Sequence, residues 1–150
     1  MATPLLAERP VHADIPLRHP PASSRLRAAA TIMIHQLRIY EIFETNKAAF
    51  HARFRDHAAR IMRKYGFQIA AMWETRAGDK TQFVYLLEWH DEATKSAAWS
   101  AFMSDAEWDD IKRVTSAEHG PLVGAIEDRL LRQLDYSPAA GRSLVSASPS

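Results

Sequence analysis

No cysteine occurs in the 150 residues, which excludes disulfide frameworks, thiolate nucleophiles, iron–sulfur clusters and cysteine-ligated zinc. An excess of one charge is also missing. Lysine and arginine total 19 against 18 aspartates and glutamates, a balance that creates no global field to attract DNA, RNA or an anionic membrane. No stretch approaches the roughly 18 apolar residues that span a bilayer. There is no P-loop, no G-x-G-x-x-G and no G-x-S-x-G, so nucleotide cradles and acyl-serine chemistry are not expected. Histidines are present, but His35, His51, His90 and His119 follow no H-x-x-x-H or H-x-x-E-H spacing, and Asp91 beside His90 reads as a helix cap rather than a ligand. The expectation is a soluble protein with no nucleic-acid partner, no membrane span, no metal and no required cofactor.

What is present suits one domain: 47% hydrophobic and 25% charged residues are enough for a sizeable core. Residues 1–30 stand apart. They hold five of the eight prolines and show no sustained period of 2 or 3.6, so they are expected to be a disordered extension. Arg9, Arg18, Arg25 and Arg27 faintly suggest a transit peptide to the mitochondrial matrix, whereas Met33 at the first strand favours an upstream extension of the reading frame and a cytoplasmic protein. The folded domain is expected over 31–136, and the Ser/Ala/Pro-rich stretch 137–150 is expected to be a disordered tail.

Within the domain, the alternation and β-branched residues from Thr31 to Phe43 predict a first strand. Thr45 or Asn46 can cap a long helix to Tyr65, with Phe50, Phe54, Ala58 and Ile61 inward, His57 on the same side, and Gly66 as terminator. Phe67–Arg76 and Gln82–Trp89 predict a hairpin about Gly78-Asp79, with Phe67, Ile69, Ala71 and Trp73 on one face and Phe83, Tyr85, Leu87 and Trp89 likewise. Asp91 can cap a short helix, Ser104-x-x-Glu107 has the capping-box pattern for another, and Ala125–Leu134 reads as the last strand. The order is the ferredoxin-like split βαβ, an α+β fold with an antiparallel sheet. Its second face, with Val84, Leu86, Met72, Ala70 and Leu131, is too apolar to stay wet, which predicts a homodimer in which two sheets face each other.

Leu37-Arg38-Ile39-Tyr40, Tyr65-Gly66-Phe67, Trp73 followed by Gly78-Asp79 and Gln82, Asp105-Ala106-Glu107-Trp108, and Arg129-Leu130-Leu131 through Ser137-Pro138 occur in the order and spacing of a known family. From Ile34 to Pro138 the chain resembles the NIPSNAP family of the dimeric α+β barrel superfamily. The resemblance implies the fold and the dimer more than an activity. NIPSNAP proteins have no agreed chemistry; mitochondrial members are associated with membrane and vesicle biology. The superfamily includes cofactor-free monooxygenases, haem-degrading enzymes, lactone isomerases and polyketide cyclases, which use a cleft between helices and sheet. His57 matches a position where the family often has histidine. Tyr85 stands where many members have histidine in the third strand, so a histidine mechanism there does not carry over.

The expected function is binding of a small aromatic or conjugated molecule in that cleft, with cofactor-independent isomerase, cyclase or monooxygenase activity as its extension. His57 is the candidate base and Tyr85 the candidate proton donor, with Trp73, His35, Arg38 and Tyr40 as candidate substrate contacts. The structural reading is preferred for each: a histidine at the helix–sheet boundary bonded to a backbone carbonyl for His57, and ordinary core aromatics for Tyr85 and Trp73. Arg38 and Tyr40 are expected to turn into the dimer seam, with Leu37 and Ile39 toward the helices; an ion pair of Arg38 with Glu88 or Glu127 there is the preferred reading, and an anchor for a substrate carboxylate the alternative. The helix arginines Arg53, Arg55, Arg60 and Arg63 read as a solvated outer face. The alternatives are a non-enzymatic scaffold module and a haem protein with His57 as ligand.

Overall fold

The computed structural model describes residues 33–138. The expectations for 1–30, for Thr31 and Ile32, and for the tail beyond Pro138 lie outside the described residues. Four strands, β1 (Ile34–Ile42), β2 (Gln68–Ala77), β3 (Lys80–Trp89) and β4 (Val123–Arg132), form one antiparallel sheet in the order β2-β3-β1-β4. Between β1 and β2 runs a composite helix, α1 (Lys47–Arg53), a π turn (Phe54–Ala58) and α2 (Ala59–Lys64); α3 (Glu92–Met103) and α4 (Ala106–His119) connect β3 to β4. The element order is the ferredoxin-like arrangement that the patterning predicts. No helix among the described residues is long and apolar enough to cross a membrane.

The strongest alternation in the chain sets the core. Phe83, Tyr85, Leu87 and Trp89 of β3 all turn to the helices and are buried. They meet two aromatic nests. Tyr40, Phe50 and Phe54 surround Phe83 and Tyr85 at centroid distances of 4.8–6.2 Å, and Trp89 and Trp99 pack edge-on against Phe67 at 4.8 Å each. Such pairs bury large area with preferred edge contacts, so the nests hold the helices to the sheet.

Helix ends follow local chemistry. Gly66, at φ 87°, takes the left-handed position that ends α2, where a side chain would be strained. Asp91 caps α3 by accepting from the Thr94 amide at 2.7 Å. For α4 the cap is Asp105 rather than Ser104 of the expected box: its Oδ1 accepts from the Trp108 amide at 2.8 Å, and Glu107 instead pairs with Arg60 of α2. Asn46 stands at the cap position of α1 but spends its amide on the carbonyls of His119 and Pro121, both at 3.0 Å, fastening the entry of β4.

Asp105 also accepts from the Tyr65 hydroxyl at 2.6 Å and lies 3.5 Å from Lys64 Nζ. The Tyr65 bond first, then the Trp108 amide, hold its carboxyl below the ordinary aspartate value. A carboxyl whose folded pKa lies below its unfolded one adds stability that is present above the unfolded value and lost as pH falls through the folded one. Thermal melts should therefore show Tm falling below about pH 4, and Asp105→Asn, which keeps a capping oxygen, should flatten that acid slope. An unchanged slope would mean that Asp105 does not contribute to it.

Two irregularities decide which side chains reach the interior. An extra residue between Ile69 and Ala71 breaks the β2–β3 register. Ile69 pairs with Leu87 on the helix side, but beyond the bulge it is Met72 that pairs with Tyr85 and Glu74 with Phe83. Trp73 pairs with Val84 and takes the outer sheet face, while Met72 leaves it, the reverse of the expected pattern. The second irregularity is the π turn. Its added residue keeps Phe50, Phe54, Ala58 and Met62 over the sheet and turns His57 to the helix flank.

Candidate functional site

The site grows from the centre of β1. Ile34, Gln36, Tyr40 and Ile42 are buried on the helix side, so Arg38 belongs to that side as well, and Leu37 and Ile39 to the outer face. The seam placement of Arg38 and Tyr40 is therefore corrected. In register, Arg38 lies between Tyr85 of β3 and Asp128 of β4, while the carboxylates considered as its partners sit elsewhere: Glu88 pairs across from His35, and Glu127 from Ile39. Arg38 Nη1 donates to Asp128 Oδ2 at 2.5 Å.

From Asp128 a continuous polar line runs across the sheet. Gln36, only 2% exposed, donates from Nε2 to Asp128 Oδ2 at 2.7 Å, and its Oε1 accepts from the indole N–H of both Trp89 (2.9 Å) and Trp99 (2.8 Å). Arg38 Nη2 donates to the Tyr40 hydroxyl at 3.2 Å, and Tyr40 and Tyr85 share a 2.6 Å hydrogen bond. The guanidinium carbon stands 4.5 Å from the Trp99 ring centroid, a cation–π contact that Gln36 holds in place through the Trp99 N–H. Burial opposes charge on Arg38, but Tyr40, Tyr85 and Asp128 outweigh it, and its pKa lies above the ordinary arginine value. Burial, then the neighbouring Tyr40, pushes the Tyr85 phenol well above its usual range. Arg38 Nε is buried without a partner among the described residues.

Beside this line opens a cavity of about 210 Å³ between α1, the π turn, α3, α4 and the sheet. Phe50, Phe54, Trp99, Phe102 and Trp108 are the aromatic part of its wall, and Arg38, Tyr40, Arg53 and Lys112 supply its polar groups. Aromatic walls with a few converging polar groups are what a small flat ligand requires. A second, open groove of about 470 Å³ lies between α1 and the edge strand β2; there Glu74 is engaged by Lys47 at 3.0 Å and by His51 at 3.4 Å.

The candidate residues are dispersed. Arg38 and Tyr40 line the aromatic-walled cavity, and Tyr85, at 0% exposed and not among its lining residues, is hydrogen-bonded to Tyr40. His57 lines neither cavity, because the π turn rotates it aside. Trp73, 51% exposed, borders the open groove instead, a consequence of the β2 bulge. His35 is on the outer face, 3.6 Å from Glu88. The trio of His57, Tyr85 and Trp73 is thus not assembled. Residues that sequence reading missed are Gln36, Trp99, Trp108 and Arg53. Trp99 and Trp108 carried a visible signal as the two tryptophans of the helices, whereas Gln36 and Arg53 carried none. Among the described residues no group of three or more His, Asp or Glu is placed to hold a metal.

The family model for NIPSNAP matches residues 35–138. The chain belongs to the NIPSNAP family. Solved NIPSNAP relatives share its fold at low identity. A NIPSNAP-like domain protein from Burkholderia xenovorans is 22% identical, with a TM-score of 0.60, over 71% of this chain and 89% of that one. A NIPSNAP family protein from Agrobacterium tumefaciens strain C58 is 20% identical, with a TM-score of 0.61, over 71% and 98%. A further family member of unknown function from the same organism is 14% identical, with a TM-score of 0.61, over 71% and 93%. No functionally curated protein matches the chain. At these identities the likeness carries the fold, and function rests on the cavity itself.

Proposed function

We propose that this NIPSNAP protein binds a small aromatic or conjugated molecule in the cleft between helices and sheet, acting as a homodimer. The observation that carries the reading is the aromatic-walled cavity of about 210 Å³ ending on Arg38 and Tyr40. A cleft packed shut would instead have favoured a purely structural module. His57, the ligand expected for haem, does not line this cavity, which supports the small-molecule reading over the haem one. Trp99 and Trp108 contribute aromatic surface to the wall, and Tyr40 is the wall hydroxyl suited to give a proton to a bound molecule. Arg38 donates to its oxygen and stands where negative charge would develop during such a transfer. Tyr85 holds Tyr40 by their shared hydrogen bond. The chemistry that fits this wall is cofactor-independent proton transfer to an activated carbon, with Tyr40 as the donor, the role that patterning assigns to Tyr85.

The test uses two probes of one shape, 2-naphthamide and 2-naphthoate, titrated calorimetrically. At least one should bind with a Kd of about 1 mM or tighter. Met103, exposed at the cavity rim, allows the mouth to be closed without touching the packed floor, so Met103→Trp should abolish that binding while leaving the circular dichroism unchanged. Absence of binding by both probes, or full binding in the plugged variant, would sink the cleft reading.

A further inference from the structure

Three cations, Arg38, Arg53 and Lys112, line the aromatic-walled cavity, and among the described residues no carboxylate does. Two of the three are already engaged: Arg38 by Asp128, and Lys112 by Asp109 at 3.4 Å one helical turn away. Arg53 differs. Among the described residues no carboxylate lies within ion-pair distance of it; its Nη1 donates to the Thr115 hydroxyl at 3.1 Å, and its guanidinium carbon stands 5.5 Å from the Trp108 ring centroid. Thr115 in turn donates back to the Ile111 carbonyl at 2.8 Å, so the hydroxyl that receives Arg53 is fixed in direction. A half-buried guanidinium held by one neutral hydroxyl and an aromatic ring has left water without gaining a counter-charge. Burial lowers its pKa from the ordinary arginine value, as expected of a cation lacking compensation. The position on α1 that patterning assigns to solvent is thus a wall of the cavity, because α4 packs across it and brings Trp108 and Thr115 to its side.

We propose that Arg53 receives the anionic group of the ligand, and that the molecule bound in the cleft is an aromatic carboxylate with its rings between Trp99 and Trp108. The inference rests on the cleft reading and adds to it the charge of the ligand and the residue that reads it. Arginine suits this role because its planar fork meets a carboxylate through two parallel hydrogen bonds. The cavity is lopsided in the same sense: Tyr40 and Arg38 lie at the sheet end, and Arg53 and Lys112 face from the helices. A carboxylate placed on Arg53 would therefore leave the rest of the ring system directed at Tyr40.

The two probes distinguish the inference from its foundation, since 2-naphthamide has nearly the shape of 2-naphthoate without its charge. Wild-type protein should bind the acid about tenfold to a hundredfold more tightly than the amide. Arg53→Gln should erase that preference, so that the acid binds no more tightly than the amide, and an unchanged circular dichroism spectrum reports that the variant is folded. Arg53→Lys should retain part of the preference, and it decides the matter if the glutamine variant does not fold. Equal binding of acid and amide to the wild type, or a preference that persists undiminished in Arg53→Gln, would overturn the role of Arg53 while the cleft reading stands. If neither probe binds, the cleft reading falls and takes this inference with it.

Discussion

Replacing Gln36 with leucine should lower the unfolding free energy by about 2–4 kcal/mol, read from urea melts. Leucine matches the shape but offers no acceptor, so the indole N–H groups of Trp89 and Trp99 lose their partner together and Asp128 loses one donor. Each buried donor left without a partner costs about 1–3 kcal/mol; Trp89 is fully buried and Trp99 partly so, which sets the middle of the range. The effect should extend to the cavity. With its N–H released, Trp99 no longer has a fixed tilt over Arg38, and binding of 2-naphthoate should weaken although Gln36 does not line the cavity. A change below about 0.5 kcal/mol, the range of an ordinary surface substitution, would show that the polar line does not act as a unit.

The second large effect is expected at the outer sheet face. Leu86 lies at its centre, paired with Leu37 on one side and Ala71 on the other, with Val84, Ile39 and Trp73 in the adjoining row. If two such faces meet in the proposed homodimer, Leu86→Arg would bury a guanidinium without a counter-charge and weaken association by about a hundredfold or more. Native mass spectrometry should report twice the 16.9 kDa chain mass for the wild type and the single chain for Leu86→Arg. Arg38→Ala should leave the dimer intact, since Arg38 points to the helices. The opposite pair of results would place the seam elsewhere.

That contrast shows where sequence patterning was sufficient. In β3 the aromatic and aliphatic residues Phe83, Tyr85, Leu87 and Trp89 leave no doubt about the buried face, and all four are buried. In β1 the two faces are nearly balanced, with Leu37 and Ile39 against Ile34, Gln36, Arg38, Tyr40 and Ile42. Alternation states that neighbours point oppositely, not which set points inward, and in a sheet apolar on both sides hydrophobicity cannot choose. The pairing of Arg38 with Tyr85 chooses. Polar side chains could then face the interior because Asp128, Trp89, Trp99 and Tyr85 supply hydrogen-bond partners there to all but Arg38 Nε.

The sequence by itself determined the element order, the α+β class, the helix ends at Gly66 and Asp91, the inward face of β3 and the family, because these follow from local propensity, turn chemistry and spacing along the chain. Only the tertiary structure decided who lines the cavity. One extra residue in β2 put Trp73 on the outer sheet face and Met72, still exposed, on the other, one π turn interrupted the helix that carries His57, and packing of α4 over α1 drew Arg53 from solvent to the wall. Insertions of a single residue leave almost no mark on a hydrophobic pattern, yet they reverse or rotate every side chain beyond them. Contacts between residues distant in the chain, such as Gln36 with Asp128 and Arg53 with Thr115, exist only once that geometry is set.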